Sequence, residues 1–303
     1  MKKYIVTTTI NPPTLATIKY SRMEDWTLIV VGDKKTPHEE YERLNCIYLS
    51  PEEQEKKYPD LSEAIGWNSI QRRNIGFVEA YNLGADIVAT VDDDNIPYEN
   101  WGKNVIVGET TEIDFYTTEL GVFDPLSATE HTNIWHRGYP IELVPMRSAV
   151  QYGGKLKRRV LVQADLWDGD PDIDAMARLS QRPIVKFDKI QGPYGSTSIS
   201  PFNSQNTFLA REVIPYYSVF PYVGRMDDIW GSYVLQHYFP NSVCYNKASV
   251  YQDRNVQDLV TNLENEIVGY RHTTDLIRSL GAWQDVVPRE TLNYWYAYRE
   301  LFQ

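Results

Sequence analysis

Cysteine is nearly missing: Cys46 and Cys244 are the only two in 303 residues, and neither stands at metal-ligand spacing. A disulfide framework and a thiolate metal centre are therefore excluded, and reduced, buried thiols of a cytoplasmic protein are the expectation. Long apolar runs are missing too. No stretch reaches the ~18 apolar residues of a membrane span, and the apolar part of "MKKYIVTTTINPP" is too short for a secretory signal. We expect no membrane span. Positive charge is in deficit, with 30 Lys and Arg against 41 Asp and Glu for a net −11. The one compact basic stretch, "KLKRR" from Lys155 to Arg159, reads as a solvated strand end, so nucleic acid is not an expected partner. No P-loop, DxDxT-like nucleophile turn, repeat or low-complexity tract occurs, which disfavours a phosphohydrolase or nucleotidyltransferase.

What is present suffices for a sizeable core. "KYIVTTT", "WTLIVVGD", "NCIYLS" and "ADIVATV" read as strands separated by helices or long connections, which predicts parallel pairing in a doubly wound α/β sheet. Ligands gather at the carboxyl ends of such strands, where Thr8, Thr9, Asp33 and the triplet Asp92, Asp93, Asp94 fall. Trp67, Ile70, Phe77, Val78 and Tyr81 recur at helical spacing, predicting a helix through "LSEAIGWNSIQRRNIGFVEAYNLGAD" that ends at Gly84. "EIDFYTTEL", "KRRVLVQADLW" and "PIVKF" read as further strands. "WDGDPDIDAMARLS" reads as a solvated acidic loop with a short helix from Asp172, and His131 and His136 as part of a solvated turn. "GPYGSTSISPFNSQNTF" reads as a long ordered loop, and the tail from Asp258 as helices closing with "NYWYAYRELF".

Three adjacent aspartates repel one another, so the triplet gains from a hard divalent cation. Side chains alternate along an extended backbone, so Asp92 and Asp94 face one site together. Mg²⁺ or Mn²⁺ takes one or two protein carboxylates, completes its shell with phosphate oxygens and water, and offsets the charge of a diphosphate leaving group. The alternative is an Asx turn before "NIP". A second acidic pair, Asp227 and Asp228, precedes a helix carrying Trp230, Val234 and His237. Carboxylates there favour the helix dipole or accept a proton from an acceptor hydroxyl; Asp228 is the candidate base.

The blocks "WNSIQRRNIGFVEAYNLGADIVATVDDDNIP", "PFNSQNTFLAREVIPYYSVFP" and "RMDDIWGSYVLQ", with the later "YQDRNVQDL", resemble the STELLO-type glycosyltransferase domain. More distantly they are similar to the reversibly glycosylated polypeptides, the UDP-arabinopyranose mutases. The resemblance implies a GT-A-like, Rossmann-like α/β fold: a mostly parallel central sheet flanked by helices, with a C-terminal helical extension. Residues 1–255 would form the nucleotide-sugar-binding and catalytic domain and 256–303 the extension. It implies a metal-dependent hexosyl- or pentosyltransferase using Mn²⁺ or Mg²⁺, a nucleotide-sugar donor (UDP-sugar preferred) and a hydroxyl acceptor such as a glycan.

Carried over residue by residue, Asp94 would hold the metal and Asp92 the metal or ribose. Arg72, Arg73 and Asn74 would contact the nucleotide, Asn203, Gln205 and Asn206 the sugar hydroxyls, and Asp227 with Asp228 the acceptor. Thr8, Thr9, Asp33 and Asp93 join the donor side by position. Where such enzymes often carry a late histidine ligand, "YNKASVYQDRN" offers Asp253 or Gln252, with His272 further on; Asp253 is the metal candidate. The membrane-spanning region of STELLO proteins has no counterpart here, so their Golgi location does not transfer. A nucleotide-sugar mutase and a non-catalytic sugar-binding or scaffold protein are the alternatives.

Overall fold

The computed structural model describes residues 1–254 and 256–302, so the expected domain boundary at residue 255 lies outside the described residues, as does the last residue of the extension. In chain order the strands are β1 (Lys3–Thr9), β2 (Thr27–Gly32), β3 (Ile47–Leu49), β4 (Ile87–Val91), β5 (Asn95–Pro97), β6 (Thr110–Thr117), β7 (Gln151–Arg159), β8 (Val162–Gly169), β9 (Tyr194–Ser196), β10 (Asn206–Ala210) and β11 (Val243–Gln252). The helices are α1 (Leu15–Tyr20), α2 (His38–Glu42), α3 (Pro51–Lys57), α4 (Pro59–Ile65), α5 (Arg73–Asn82), α6 (Ala175–Gln181), α7 (Asp227–Tyr238), α8 (Leu259–Arg278) and α9 (Arg289–Glu300).

The spatial order β3-β2-β1-β4-β10-β8-β11 forms the heart of one sheet, parallel at every step except that β10 runs against both its neighbours. The other six strands of this group share one direction, so the mostly parallel, helix-flanked α/β sheet with a C-terminal helical region is present as expected. β9, β6 and β7 extend the sheet beyond β11, and β5 pairs with β11 on a branch. β4 is buried along its whole length, which its run of Ile, Val, Ala and Thr requires. α5 lies on β1 and β2, and Gly76 is what lets it come so close, since a methyl there would overlap Val6 and stand 2.9 Å from Val31 Cγ2. The C-terminal helices share the same core. Trp283 stacks on Phe220 at 5.5 Å, and the Tyr298 hydroxyl donates to the carbonyls of Ile214 and Tyr217. Each such buried aromatic contributes about 2–3 kcal/mol. Among the described residues no helix is long and apolar enough to cross a membrane.

Several local expectations are corrected. The single helix expected before Gly84 is broken: α4 ends at Gly66, whose φ of 75° suits glycine, and a 3₁₀ turn at Ile70–Arg72 precedes α5. Apolar residues face inward in α4 and α5, whereas Ile70 in the turn between them is exposed and Arg72 is buried there. "KRRVLVQADLW" is two strands, β7 and β8, and of "PIVKF" only Val185 bridges to the sheet, at Gly169. The acidic stretch before α6 is not solvated. Asp172 and Asp174 are fully buried, and His136, assigned to a turn, is buried with its Nδ1 against the Arg137 carbonyl.

Candidate active site

The carboxyl ends of β1 and β4 and the turn before β10 open onto a cavity of about 710 Å³, joined by a recess of about 210 Å³ that shares Thr8, Asn68, Ile70 and Asp93 with it. β4 delivers the aspartates. Asp92 accepts from Arg73 Nη2 at 2.5 Å, and that arginine, 1% exposed, also donates through Nη1 to the Ser204 carbonyl and hydroxyl at 2.9 and 2.8 Å. The chain turns at Asp93, whose carboxylate accepts from Thr9 Oγ1 at 2.5 Å and Asn11 Nδ2 at 2.9 Å, binding the triplet to the end of β1. Asp94 differs from both. Its Oδ1 is buried with no hydrogen-bond partner among the described residues. Burial first, then the charge of Asp92, pushes this carboxyl up to about 7 against the pull of Arg254.

α7 supplies the second acidic group. Asp228 accepts from the Ser204 amide at 2.9 Å and hydroxyl at 3.1 Å and pairs with Arg137 at 3.0 Å. Arg137 in turn holds Asp172 through Nε and Nη2, at 2.8 Å for the closest contact. Burial alone would raise the Asp172 carboxyl, but Arg137 and then Arg254 hold it well below the usual carboxylate range. Asp227 is less engaged: it accepts from Gln71 Nε2 at 2.9 Å and the Asp228 amide at 3.0 Å, with Arg137 Nη1 at 3.7 Å. Burial, then the charge of Asp228, pushes Asp227 up to about 7. The chain Asp92–Arg73–Ser204–Asp228–Arg137–Asp172 therefore runs unbroken from the aspartate turn to the acidic pair.

Of the residues expected here, Thr8, Arg73, Asp92, Asp93, Asp94, Gln205, Asp227 and Asp228 line the cavity, while Thr9 and Asp33 line the recess. Asp33 is occupied with backbone, accepting from the amides of Lys34, Asn68 and Ser69. Other expectations are corrected because buried polar groups take their nearest partners. Arg72 faces away from the cavity, donating to Gln54, Ser62 and the Gly66 carbonyl with its guanidinium over the Trp67 ring. Asn74 exchanges two 2.8 Å hydrogen bonds with the Val219 backbone, and Asn206 binds Trp101, Ser249 and the Leu166 carbonyl. Asn203 donates to Asp172 and accepts from the Gln205 amide. Asp253 is exposed and meets Asp94 through a backbone hydrogen bond, and His272 is exposed on α8. Arg137, Asp172, Ser204 and Arg254 went unread as site residues; Ser204 and Arg254 lie inside the quoted blocks, but each gains its place from partners distant in the chain.

Among the described residues no group of three or more His, Cys, Asp or Glu is arranged to hold a metal ion. The protein's share of a cation site would be Asp92 and Asp94, which matches the one or two carboxylates that Mg²⁺ or Mn²⁺ takes when phosphates and water complete its shell. The partnerless Asp94 oxygen fits such an ion.

No protein-family model matches the chain. It is 24% identical over 230 residues to a protein of Arabidopsis thaliana named probable glycosyltransferase STELLO2, and 24% identical over 231 residues to probable glycosyltransferase STELLO1 of the same plant. Each alignment covers 68% of this chain and 29% of the relative, so the chain matches under a third of those proteins' length. The resemblance to STELLO-type proteins carried by the DDD, "PFNSQNTF" and "RMDDIW" blocks is thus a similarity that extends through most of the chain.

Proposed function

We propose that this protein transfers a sugar from a nucleotide-diphosphate donor, a UDP-sugar for preference, to a hydroxyl of a carbohydrate acceptor, with Mn²⁺ or Mg²⁺ at Asp92 and Asp94. The observation that carries this reading is the hydrogen-bonded chain spanning one cavity from the aspartate turn to the acidic pair. Similarity to proteins named as probable glycosyltransferases supports it. When bound, the cation offsets the charge that grows on the diphosphate as its bond to the sugar breaks. Arg73 fixes the orientation of Asp92, and the recess beside Thr8, Asp33 and Asp93 takes the nucleoside. Asp227, rather than Asp228, accepts the proton of the acceptor hydroxyl in an inverting course. Its carboxyl is pushed up to about 7, whereas Asp228 Oδ2 already accepts from the Ser204 amide and hydroxyl and from Arg137, and Asp228 Oδ1 lies 3.0 Å from the Arg137 guanidinium. A retaining course needs no such base.

A thermal-shift panel of nucleotide sugars with and without Mn²⁺ tests the donor, with ~2.7 kcal/mol of stabilisation expected at a hundredfold excess over Kd. Mn²⁺-dependent release of free nucleoside diphosphate, lost in Asp94→Ala, completes the test. Silence of every donor with metal present sinks the proposal. Conversion of donor into an isomer without acceptor assigns the site to a mutase instead.

A further inference from the structure

Beside the main cavity lies a second of about 290 Å³, and the two share Arg254 and Gln257. The protein carries a net −11, yet this smaller cavity sets three arginines, Arg178, Arg182 and Arg254, against one carboxylate, Asp170. Arg178 is already engaged, donating to Asp170 and to the Pro171 carbonyl. Arg182 follows α6 in the left-handed conformation, φ 45°, and is exposed. Arg254 follows β11 with its side chain only 6% exposed, yet its Nε and Nη2 donate no hydrogen bond among the described residues. The nearest carboxylates, Asp170 and Asp172, stand at 3.7 and 3.8 Å, too far for direct hydrogen bonds. A buried donor without an acceptor is costly to the fold, and the planar fork of a guanidinium matches the oxygens of a carboxylate or phosphate. The shared wall puts this fork between the donor cavity and the smaller one.

We propose that Arg254 and Arg182 form an oxyanion subsite next to the donor cavity, and that the acceptor is a sugar bearing a carboxylate or phosphate. The oxyanion subsite stands on the arginines alone, whereas its assignment to the acceptor rests on the transferase reading. Asp170 orients Arg178 and keeps the cavity from carrying three unbalanced charges. Arg254, reached from both cavities, aligns the anionic group so that the neighbouring hydroxyl points toward Asp227.

Inorganic phosphate is the probe for the first half, titrated by calorimetry at ionic strength held constant with chloride and with no nucleotide sugar present. Saturable binding is expected, weakened about tenfold or more in Arg182→Ala and in Arg254→Gln, the loss of one charge-assisted hydrogen bond in each case. Arg182 is exposed, so its variant reports even if the Arg254 variant folds poorly. Binding must also persist with saturating UDP and Mn²⁺. Absence of saturable binding, affinity unchanged from the parent in both variants, or displacement of phosphate by UDP overturns the subsite. For the second half, transfer to a uronic acid or sugar phosphate is compared with the neutral sugar of the same configuration: a preference for the anionic acceptor that disappears in Arg182→Ala supports the assignment, and equal use of the neutral one overturns it.

Discussion

Two carboxylates that flank Arg137 are held in opposite electrostatic states, and replacing each by its uncharged isostere should move stability in opposite directions. Asp172, 1% exposed, accepts three hydrogen bonds from Arg137 and one from Asn203, and its carboxyl is held well below the usual range. Asp172→Asn leaves Arg137 buried with its Asp227 and Asp228 contacts and its hydrogen bond to the Arg225 carbonyl. Breaking one side of a buried ion pair costs about 3–5 kcal/mol, and the surviving contact to Asp228 argues for the lower end. At about 1.6 °C per kcal/mol for a chain of this size, the melting temperature should fall by about 5 °C or more. Because the folded pKa of Asp172 is depressed, its contribution is fully present above ~4 and lost only as pH falls below that. The deficit is therefore the same at pH 6 and pH 8. Asp227 has the reverse sign: its carboxyl is pushed up to about 7, so its ionised form penalises the fold above that pH and the penalty fades as pH falls through it. Asp227→Asn should raise the melting temperature at pH 8, by an amount corresponding to at most ~4 kcal/mol, and by clearly less at pH 5, the gain vanishing only below ~4. Thermal melts of both variants at pH 5, 6 and 8, read by tryptophan fluorescence, check both signs. An Asp172→Asn melt within 2 °C of the parent, or an Asp227→Asn loss equal to that of Asp172→Asn at pH 8, would refute the reasoning.

Asn74→Ala removes both hydrogen bonds to the Val219 backbone and leaves buried groups unsatisfied, so urea unfolding should report a loss of about 2–3 kcal/mol. Gly76→Ala drives a methyl into Val6 and lifts α5 from β1, costing about 1–3 kcal/mol in the same assay. Asp165 is 8% exposed and burial pushes its carboxyl up to about 7, so the fold gains from it as pH drops through that value. Asp165→Asn should flatten this dependence, raising stability at pH 8 by at most ~4 kcal/mol and by clearly less at pH 5, as paired melts at those pH values will show.

The sheet and one half of the site are readable in the chain because both follow from local pattern. Ile87 to Val91 form an unbroken apolar run that only a covered strand accommodates, and the charge that follows must lie at its carboxyl end. Asp227 and Asp228 stand out because an acidic pair opening a helix is a local event as well. The reversal of β10 is not readable, since its five buried residues carry no sign of direction and only the partners β4 and β8 define it. Nor is the role of Asp172. Composition records four aspartates within "DGDPDID" but not the guanidiniums of Arg137, Arg225 and Arg254 that surround one of them, so its burial has no visible compensation until those distant residues converge. Arg72, Asn74 and Asn206 mislead for the converse reason: polar residues near a binding edge suggest ligand contacts, while the backbone of a closely packed fold claims them first.

Ser204 touches both halves of the site through a side chain of two heavy atoms, its hydroxyl reaching Arg73 on one side and Asp228 on the other. The width of one serine is thus the ruler that spaces the aspartate turn from the acidic pair. Any variant with a bulkier group there must set the two acidic clusters further apart, so their separation is gauged by one small uncharged residue in the cavity wall rather than by the charged ones around it.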